Sequence, residues 1–270
     1  MKAVVWNGPG DIALSDVPDP TPRDPGDAVV RLTVSAVCGT DLHMVRGTMP
    51  GMRPGTVLGH EGVGVVEAVA SAGHLGATRV IVVDDVADRL EKARRQHVEP
   101  VDFTAEDPVE VIRELTGGIG VDRVIDAVGV DAYAPADSGT DDAAQRTAEL
   151  EQVSGGGPTA WNAGDAPSQA ARWAVRAVAK AGSIGIVGVY PQTAATYPIG
   201  EVMSRNLTVK AGNCPHRALM PTVIDLIASG ALDAGRAVTK QEGMTGAIEA
   251  YETFDRHQPG WTKVVVDPAA

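Results

Sequence analysis

The feature that most constrains this chain is an alternation of apolar runs with amphipathic segments between residues 71 and 211. The runs Arg79–Val83 and Val121–Ala127 have the continuous apolar character of buried parallel strands. Between them, Val86–His97 carries the helical spacing of an amphipathic helix. Because alternation of this kind is typical of βαβ units, the sequence predicts an α/β fold with a parallel, doubly wound sheet.

The two ends of the chain follow a different pattern. Residues 1–70 contain short Val-rich runs separated by many Gly and Pro residues, which predicts a β-rich domain. Within it, Gly39–Gly47 is predicted to form a short turn or helix at the end of a strand. We expect residues 1–70 and 212–270 to form one domain around a second domain at 71–211, in which residues 134–167 are an irregular insertion.

The charge and cysteine content exclude several classes of partner and location. The formal net charge is −12, so the field of the chain repels nucleic acid phosphates and anionic lipids. The sequence has no apolar run of the length that spans a membrane, and its two cysteines are too few for a disulfide framework. We therefore expect a cytoplasmic protein without nucleic acid or membrane partners.

Cys38, His60 and Glu61 form the first group of residues able to carry chemistry. A thiolate at the end of one strand and a His-Glu pair in a glycine-bounded turn offer sulfur and nitrogen ligands that suit Zn²⁺. A catalytic zinc needs three protein ligands and an open position. The spacing leaves open that Cys38 is a buried thiol and His60 an unrelated loop histidine.

Thr40 and His43 follow the thiol closely. A hydroxyl and an imidazole at this spacing are able to pass a proton from a metal-held alcohol to solvent. The alternative is that Thr40 or Asp41 caps a short helix on which His43 is exposed.

Asp84 ends an apolar strand and precedes a helix, which is where a doubly wound fold holds the adenosine ribose of a dinucleotide. Arg89 lies one turn into that helix and is able to reach the same sugar. A carboxylate here repels a 2′-phosphate, so NAD is favoured over NADP. The alternative is a helix N-cap with a surface arginine. No glycine cluster of the sequence has the G-x-G-x-x-G spacing of a phosphate cradle.

The chain resembles zinc-dependent medium-chain alcohol dehydrogenases in two segments near its amino terminus. They are Ala36-Val-Cys-Gly-Thr-Asp-Leu-His43 and Leu58-Gly-His-Glu-Gly-Val-Gly-Val-Val-Glu67. Five later segments resemble the formaldehyde-dehydrogenase-like branch: Val80–Asp84, Asp88–Leu90, Val124–Gly129, Gly164–Gln169 and Asn213–Arg217. The resemblance implies a GroES-like catalytic domain and a Rossmann-type nucleotide-binding domain. It also implies oxidation of a small alcohol or aldehyde with NAD, one catalytic zinc and the possibility of a homo-oligomer.

The resemblance also assigns roles to individual residues. It implies that Cys38, His60 and Glu61 hold the zinc ion, that Thr40 and His43 relay the proton, and that Asp84 and Arg89 hold the adenosine ribose. It further implies that four residues at the ends of two strands lie along the nicotinamide half of NAD: Val128, Gly129, Gly188 and Val189.

The join between Ala70 and His74 departs from the family pattern. The segment that carries the structural zinc lobe, the third catalytic ligand and the first Rossmann strand is missing here, so we expect no structural zinc site. In the strand order 3-2-1-4-5-6, strand 1 is central. We therefore expect strands 79–83 and 122–127 either to pair directly or to leave an imperfect seam. The sequence predicts an alcohol dehydrogenase impaired by this deletion, or alternatively a non-catalytic remnant that acts as a binding or subunit partner.

Overall fold

A computed structural model describes most of the chain: residues 1–22, 32, 34–49, 51–59, 76–135, 143–153, 164–213 and 215–268. The described residues divide into two compact units. The first, here the β unit, combines residues of 1–59 with 235–268, and the second, the sheet unit, contains residues of 76–234. Among the described residues, none of the helices has the length and apolar character needed to cross a bilayer.

Two small sheets form the β unit. In the first, β1 (Lys2–Gly8) pairs antiparallel with β2 (Asp11–Asp16), and its other edge pairs with β4 (Thr56–Val57). In the second, β11 (Val264–Asp267) lies between its parallel neighbour β10 (Lys240–Gly243) and its antiparallel neighbour β3 (Ser35–Val37). The predicted β-rich domain is therefore present, and it combines strands from the beginning and the end of the sequence.

Two helices close the core of the β unit. They are α1 (Gly39–Arg46), which confirms the predicted element after β3, and α8 (Ala247–Asp255). Apolar side chains of both helices pack against the two sheets, because burial of their apolar faces is the main favourable term in folding. The buried cluster consists of Val4, Trp6, Val37, Leu42, Val45, Leu58, Ala247, Ala250, Tyr251, Val264 and Val266.

The sheet unit begins with a two-stranded parallel sheet. It pairs β5 (Ile81–Asp84) with β6 (Glu99–Asp102), and α2 (Ala87–Arg95) forms the crossover between them. Leu90 of α2 is buried against these strands. The chain continues into α3 (Pro108–Leu115).

A three-stranded parallel sheet follows in the order β7, β8, β9. These strands are β7 (Val121–Asp126), β8 (Val178–Ile186) and β9 (Thr208–Ala211). The helices that follow α3 in the chain are α4 (Ala143–Val153), α5 (Gln169–Ala177), α6 (Ile199–Ser204) and α7 (His216–Ala228). One face of the sheet packs on α5 and α6. The predicted strand–helix alternation is confirmed.

The two sheets of the sheet unit are not hydrogen-bonded to each other through any described strand. Of the two expected arrangements, direct pairing of β5 with β7 is therefore wrong. The described strands have the other arrangement, a seam at which β5 and β7 are not joined by hydrogen bonds. Ile125 of β7 is 52% exposed, although a central strand of a doubly wound sheet is normally covered on both faces. A central parallel strand at residues 62–69 would contradict this arrangement, but those residues lie outside the described part of the chain.

Three boundaries differ from the sequence prediction. The sequence predicts a helix over Ser168–Lys180, but this helix ends at Ala177, because Val178 already pairs with Val121 as the start of β8. The expected irregular insertion contains a helix, α4. The sheet unit extends to Ala234 rather than ending at 211, because α7 follows β9 as a continuation of the strand–helix alternation.

A buried carboxylate explains why α4 is ordered against its neighbour. Glu149 accepts hydrogen bonds from the Ser168 hydroxyl at 2.6 Å, the Arg172 guanidinium at 3.1 Å and the Gln145 amide at 2.9 Å. Buried charges of this kind are stable in proteins when they are paired and hydrogen-bonded. The network ties α4 to the start of α5.

A buried ion pair provides a test of the β unit. Arg46 at the end of α1 donates to Asp255 at the end of α8 with an N–O distance of 2.5 Å, and both side chains are buried. We expect Asp255→Ala to lower the free energy of unfolding by about 3–5 kcal/mol, because it removes the carboxylate that neutralises a buried guanidinium. Urea denaturation measures this change.

The matched control uses the neighbouring Glu252–Arg256 pair, which joins exposed side chains at 3.1 Å. We expect Glu252→Ala to cost less than about 1 kcal/mol, because exposed ion pairs are screened by water. Equal losses for the two variants would contradict a stabilising role for the buried pair.

Candidate functional site

The thiol of Cys38 lies between β3 and α1. Cys38 is half-buried and is the N-cap residue of α1, and its backbone N–H donates to Asp41 Oδ2 at 3.0 Å. The expectation that Thr40 or Asp41 caps the helix is therefore wrong, because the helix begins two residues earlier and Asp41 occupies its third position. Burial and the charge of Asp41 raise the pKa of the Cys38 thiol.

His43 lies on the same helix, three residues after Thr40. Its side chain is 3% exposed, so the alternative of an exposed histidine is wrong. The Thr48 hydroxyl donates to the His43 carbonyl at 3.0 Å and lies 3.1 Å from His43 Nδ1. These contacts fix the orientation of the buried imidazole ring.

The remaining two predicted zinc ligands, His60 and Glu61, lie outside the described residues. Among the residues described, no group of three or more His, Cys, Asp and Glu side chains is arranged to hold a metal ion. Cys38 is thus the one predicted ligand with a described position.

Asp84 occupies the end of β5, as predicted. Its Oδ1 accepts hydrogen bonds from the backbone N–H groups of Asp85 and Val86, both at 2.9 Å, and fixes the turn into α2. The Arg89 guanidinium also binds Oδ1, through Nε at 3.1 Å. Oδ2 makes no hydrogen bond to any described residue. The alternative of a helix N-cap at Asp84 is wrong, because Val86 is the N-cap of α2 and Asp84 holds the turn that precedes it. The ribose contact of Asp84 and Arg89 stays a prediction.

Asp126 organises the loop that follows β7. This buried carboxylate is 4% exposed, and its Oδ1 accepts from the backbone N–H groups of Val128 at 3.0 Å and Gly129 at 2.9 Å. Two backbone donors on one carboxylate oxygen hold the loop in a single conformation.

The same residue also holds the loop that follows β8. The Asp126 carbonyl accepts from the N–H groups of Val187 and Gly188, both at 2.9 Å, and the Tyr190 hydroxyl donates to Asp126 Oδ2 at 2.7 Å. Burial and the Asp126 charge raise the pKa of Tyr190 far above its usual range. Tyr190 therefore remains a neutral donor at physiological pH.

The two loops touch through their backbones. Gly129 and Val189 form an isolated parallel bridge. A Cβ at Gly129 would lie 2.3 Å from the Val189 carbonyl oxygen, and a Cβ at Gly188 would lie 2.2 Å from the Gly129 nitrogen. Because these neighbours are backbone atoms that cannot move aside, glycine is required at both positions. The structure thus brings together the four residues predicted to line the nicotinamide half of a dinucleotide.

Sequence reasoning missed Asp126. The available signal was an acidic residue near the end of the apolar run 121–127, two positions before Val128. A charge within a buried strand needs partners, and at the carboxyl edge of a parallel sheet those partners are loop N–H groups.

Comparisons with known proteins agree with the predicted resemblance. Residues 24–107 match the model of the alcohol dehydrogenase GroES-like domain. The chain is 24% identical over 396 residues, covering 99% of this chain and 100% of the relative, to the uncharacterized zinc-type alcohol dehydrogenase-like protein AdhB of Bacillus subtilis. It is 45% identical over 83 residues to an alcohol dehydrogenase of Cupriavidus necator, which covers 30% of this chain and 22% of that protein.

Solved structures show the same fold. Alcohol dehydrogenase TADH from Thermus sp. ATN1 has a TM-score of 0.72 at 20% identity, with 99% of both chains covered. Zinc dependent alcohol dehydrogenase 2 from Streptococcus pneumonia has a TM-score of 0.76 at 18% identity, with 99% of this chain and 98% of that chain covered.

The glycine contact between the two loops predicts a position-specific loss of stability. We expect Gly129→Ala to lower the free energy of unfolding by about 2–3 kcal/mol, because its Cβ collides with the Val189 carbonyl and its φ is +69°. Gly185→Ala in β8 is the control, since its Cβ would lie 3.9 Å from the nearest atom. Thermal denaturation of both variants measures the difference, and equal stability would contradict the close contact.

We predict that removal of the Asp126 carboxylate lowers the free energy of unfolding more than removal of the Tyr190 hydroxyl that donates to it. We expect Asp126→Ala to lower the free energy of unfolding by about 3 kcal/mol or more, because it leaves the Val128 and Gly129 N–H groups without their acceptor. Tyr190→Phe removes one donor to the same carboxylate, so we expect a loss of about 1–2 kcal/mol. Urea denaturation compares the two variants, and a larger loss for Tyr190→Phe would refute this order.

Proposed function

We propose that this relative of the zinc-type medium-chain alcohol dehydrogenases, which combines a GroES-like domain with a Rossmann-like domain, binds NAD and descends from an enzyme that oxidises small alcohols or aldehydes. We further propose that its turnover is impaired. The observation that carries the proposal is the Asp84 carboxylate at the end of β5, whose Oδ2 accepts no hydrogen bond from any described residue.

Asp84 fits the adenosine ribose of a dinucleotide. Its Oδ1 is held by two backbone N–H groups and by Arg89, so Oδ2 is pre-oriented to accept from a ribose hydroxyl. Its side chain is 15% exposed and that of Arg89 is 32% exposed, which leaves both accessible to a ligand. The charge of Asp84 repels a 2′-phosphate, which supports NAD over NADP.

The loops after β7 and β8 fit the nicotinamide half of NAD. Ligands of open α/β sheets bind outside the carboxyl ends of the strands, and Val128, Gly129, Gly188 and Val189 lie at this edge. Asp126 fixes both loops before a ligand arrives, so little conformational entropy is lost on binding. Bound NAD would supply the hydride acceptor.

The proposed metal site is Cys38 with His60 and Glu61, for one catalytic zinc. The described residues alone do not fit a zinc ion, since they contribute one thiol and no cluster of three ligands. Thr40 and His43 are the proposed proton relay. The Thr48 hydroxyl contacts the His43 ring at Nδ1 and orients it.

The proposed impairment rests on an internal deletion after about residue 70. An alignment with AdhB that extends over 396 residues leaves at least 126 positions of the alignment without a counterpart in this chain of 270. The unjoined edges of β5 and β7 are where a central strand of a complete sheet belongs. Loss of such a strand weakens cofactor orientation, because the phosphate-binding turn normally follows it.

The second candidate function is a non-catalytic remnant that retains nucleotide binding or acts as a subunit partner. The seam between the two described sheets favours it. In either case we propose a cytoplasmic protein that acts on small molecules rather than on nucleic acids or membranes. Sedimentation measurements test whether it associates into homo-oligomers.

We expect Asp84→Asn to weaken NAD binding by about tenfold and to narrow the preference for NAD over NADP. The amide can keep one oxygen on the Asp85 and Val86 N–H groups, so the turn survives while the second acceptor and the charge are lost. Calorimetric titration with both dinucleotides measures this. The control is Glu91→Gln, which removes an exposed carboxylate from the neighbouring helix α2. Unchanged NAD affinity in Asp84→Asn would contradict the proposed ribose contact.

Metal analysis combined with an activity assay separates the two candidate functions. About one zinc per chain, lost in Cys38→Ser, together with NAD reduction on small alcohols, supports the enzyme. Folded protein that binds NAD but contains no zinc and reduces no NAD supports the remnant. Folded protein that binds neither NAD nor zinc would overturn the enzyme and the nucleotide-binding remnant, and would leave only a subunit partner.

A further inference from the structure

A basic groove lies at the amino-terminal edge of the three-stranded sheet. Its lining includes the side chains of Arg113, Arg176, Lys180, Arg205, Glu201 and Ile119. Arg113, Arg176 and Glu201 belong to α3, α5 and α6, and Lys180 lies at the start of β8. Ile119 precedes β7, and Arg205 precedes β9. The groove is therefore at the opposite edge of the sheet from Val128, Gly129, Gly188 and Val189.

The charge of the basic groove opposes that of the whole chain. It combines four cationic side chains with one carboxylate, whereas the formal net charge of the chain is −12. Like charges gathered in one concavity repel one another and reinforce the local field, which attracts counter-ions of opposite sign. A net-acidic protein that concentrates cations in this way presents a local site for anions.

Contacts within the protein account for part of this cluster. The Arg205 guanidinium donates to the carbonyl groups of Val175 and Val178, where it completes the end of α5. Cations at helix carboxyl ends are common, because the last carbonyl groups have no partner within the helix. Arg205 therefore serves the fold and adds its charge to the groove.

The other three cations keep donors available. Arg113 makes one hydrogen bond, to the Arg176 carbonyl at 3.3 Å, although a guanidinium has five N–H groups. Arg176 faces Glu201 at 3.8 Å, a distance longer than a good hydrogen bond. The Lys180 ammonium makes no hydrogen bond or ion pair with any described residue. Helix capping explains neither Lys180, which lies in β8, nor the free donors of Arg113.

We infer that the basic groove binds a small polyanion that carries at least two adjacent oxyanion charges, such as a phosphate ester or a polycarboxylate. Arg113 and Arg176 supply the planar donors that match oxyanion geometry, and Lys180 supplies a point charge. The concavity has a volume of about 980 Å³ including its open mouth, which is ample for a pyrophosphate group. The inference is independent of zinc and of the dinucleotide site.

Calorimetric titration of the full chain with pyrophosphate at low ionic strength tests this inference. We expect saturable binding to one site that weakens as NaCl is added, because salt screens a solvent-open charge cluster. Lys180→Gln and Arg113→Gln should each weaken it by about tenfold. Lys210→Gln is the matched control, since it removes the same charge from exposed β9 outside the groove, and it should leave binding unchanged. Unfolding temperatures without ligand establish that the variants fold.

Two further titrations identify the chemical class of the ligand and the location of its binding site. Stronger binding of pyrophosphate than of citrate indicates a phosphate ester, and the reverse order indicates a polycarboxylate. Binding that persists in the presence of saturating NAD supports a separate groove. Three results would overturn the inference: an absence of saturable binding of either anion, an equal loss of affinity in Lys210→Gln, or displacement of pyrophosphate by NAD.

Discussion

The carboxylate of Asp126 is the interaction on which the candidate cofactor edge depends. A buried charge is tolerated when it is fully hydrogen-bonded, and here the carboxylate binds two loop N–H groups and the Tyr190 hydroxyl. Its backbone carbonyl holds the second loop. The two loops then approach so closely that Gly129 and Gly188 have no room for a side chain. Stability and a pre-formed edge therefore come from the same residue.

The turn at Asp84 forms although no described strand pairs with the second edge of β5. The Asp84 site depends on contacts within six consecutive residues, from Asp84 to Arg89, so local geometry is sufficient to build it. Ile125 of β7 is exposed, so the apolar face of this strand is incompletely covered. The proposed ribose contact depends on local geometry and the proposed turnover on how the strands join, so the two proposals are tested separately.

The two edges of the three-stranded sheet have opposite electrostatic character. The carboxyl edge is built around the acidic Asp126, and the amino edge collects Arg113, Arg176 and Lys180. Part of this asymmetry follows from the fold, since helix carboxyl ends lie at the amino edge of a parallel sheet and favour cations. The remainder, above all Lys180, is not needed to complete any described helix end.

The sequence by itself determined the features that depend on near neighbours. These are the strand–helix alternation, the helix after Cys38 and the acidic turn at Asp84, because periodicity and turn chemistry act within a few residues. Tertiary structure decided the rest. Asp126 meets Tyr190 across 64 residues and Arg46 meets Asp255 across 209, and local spacing carries no information about such partners. Packing between distant segments likewise decides the seam, the burial of His43 and the position of α4. That packing is set by the buried polar groups and apolar faces, because they must find partners in the folded chain.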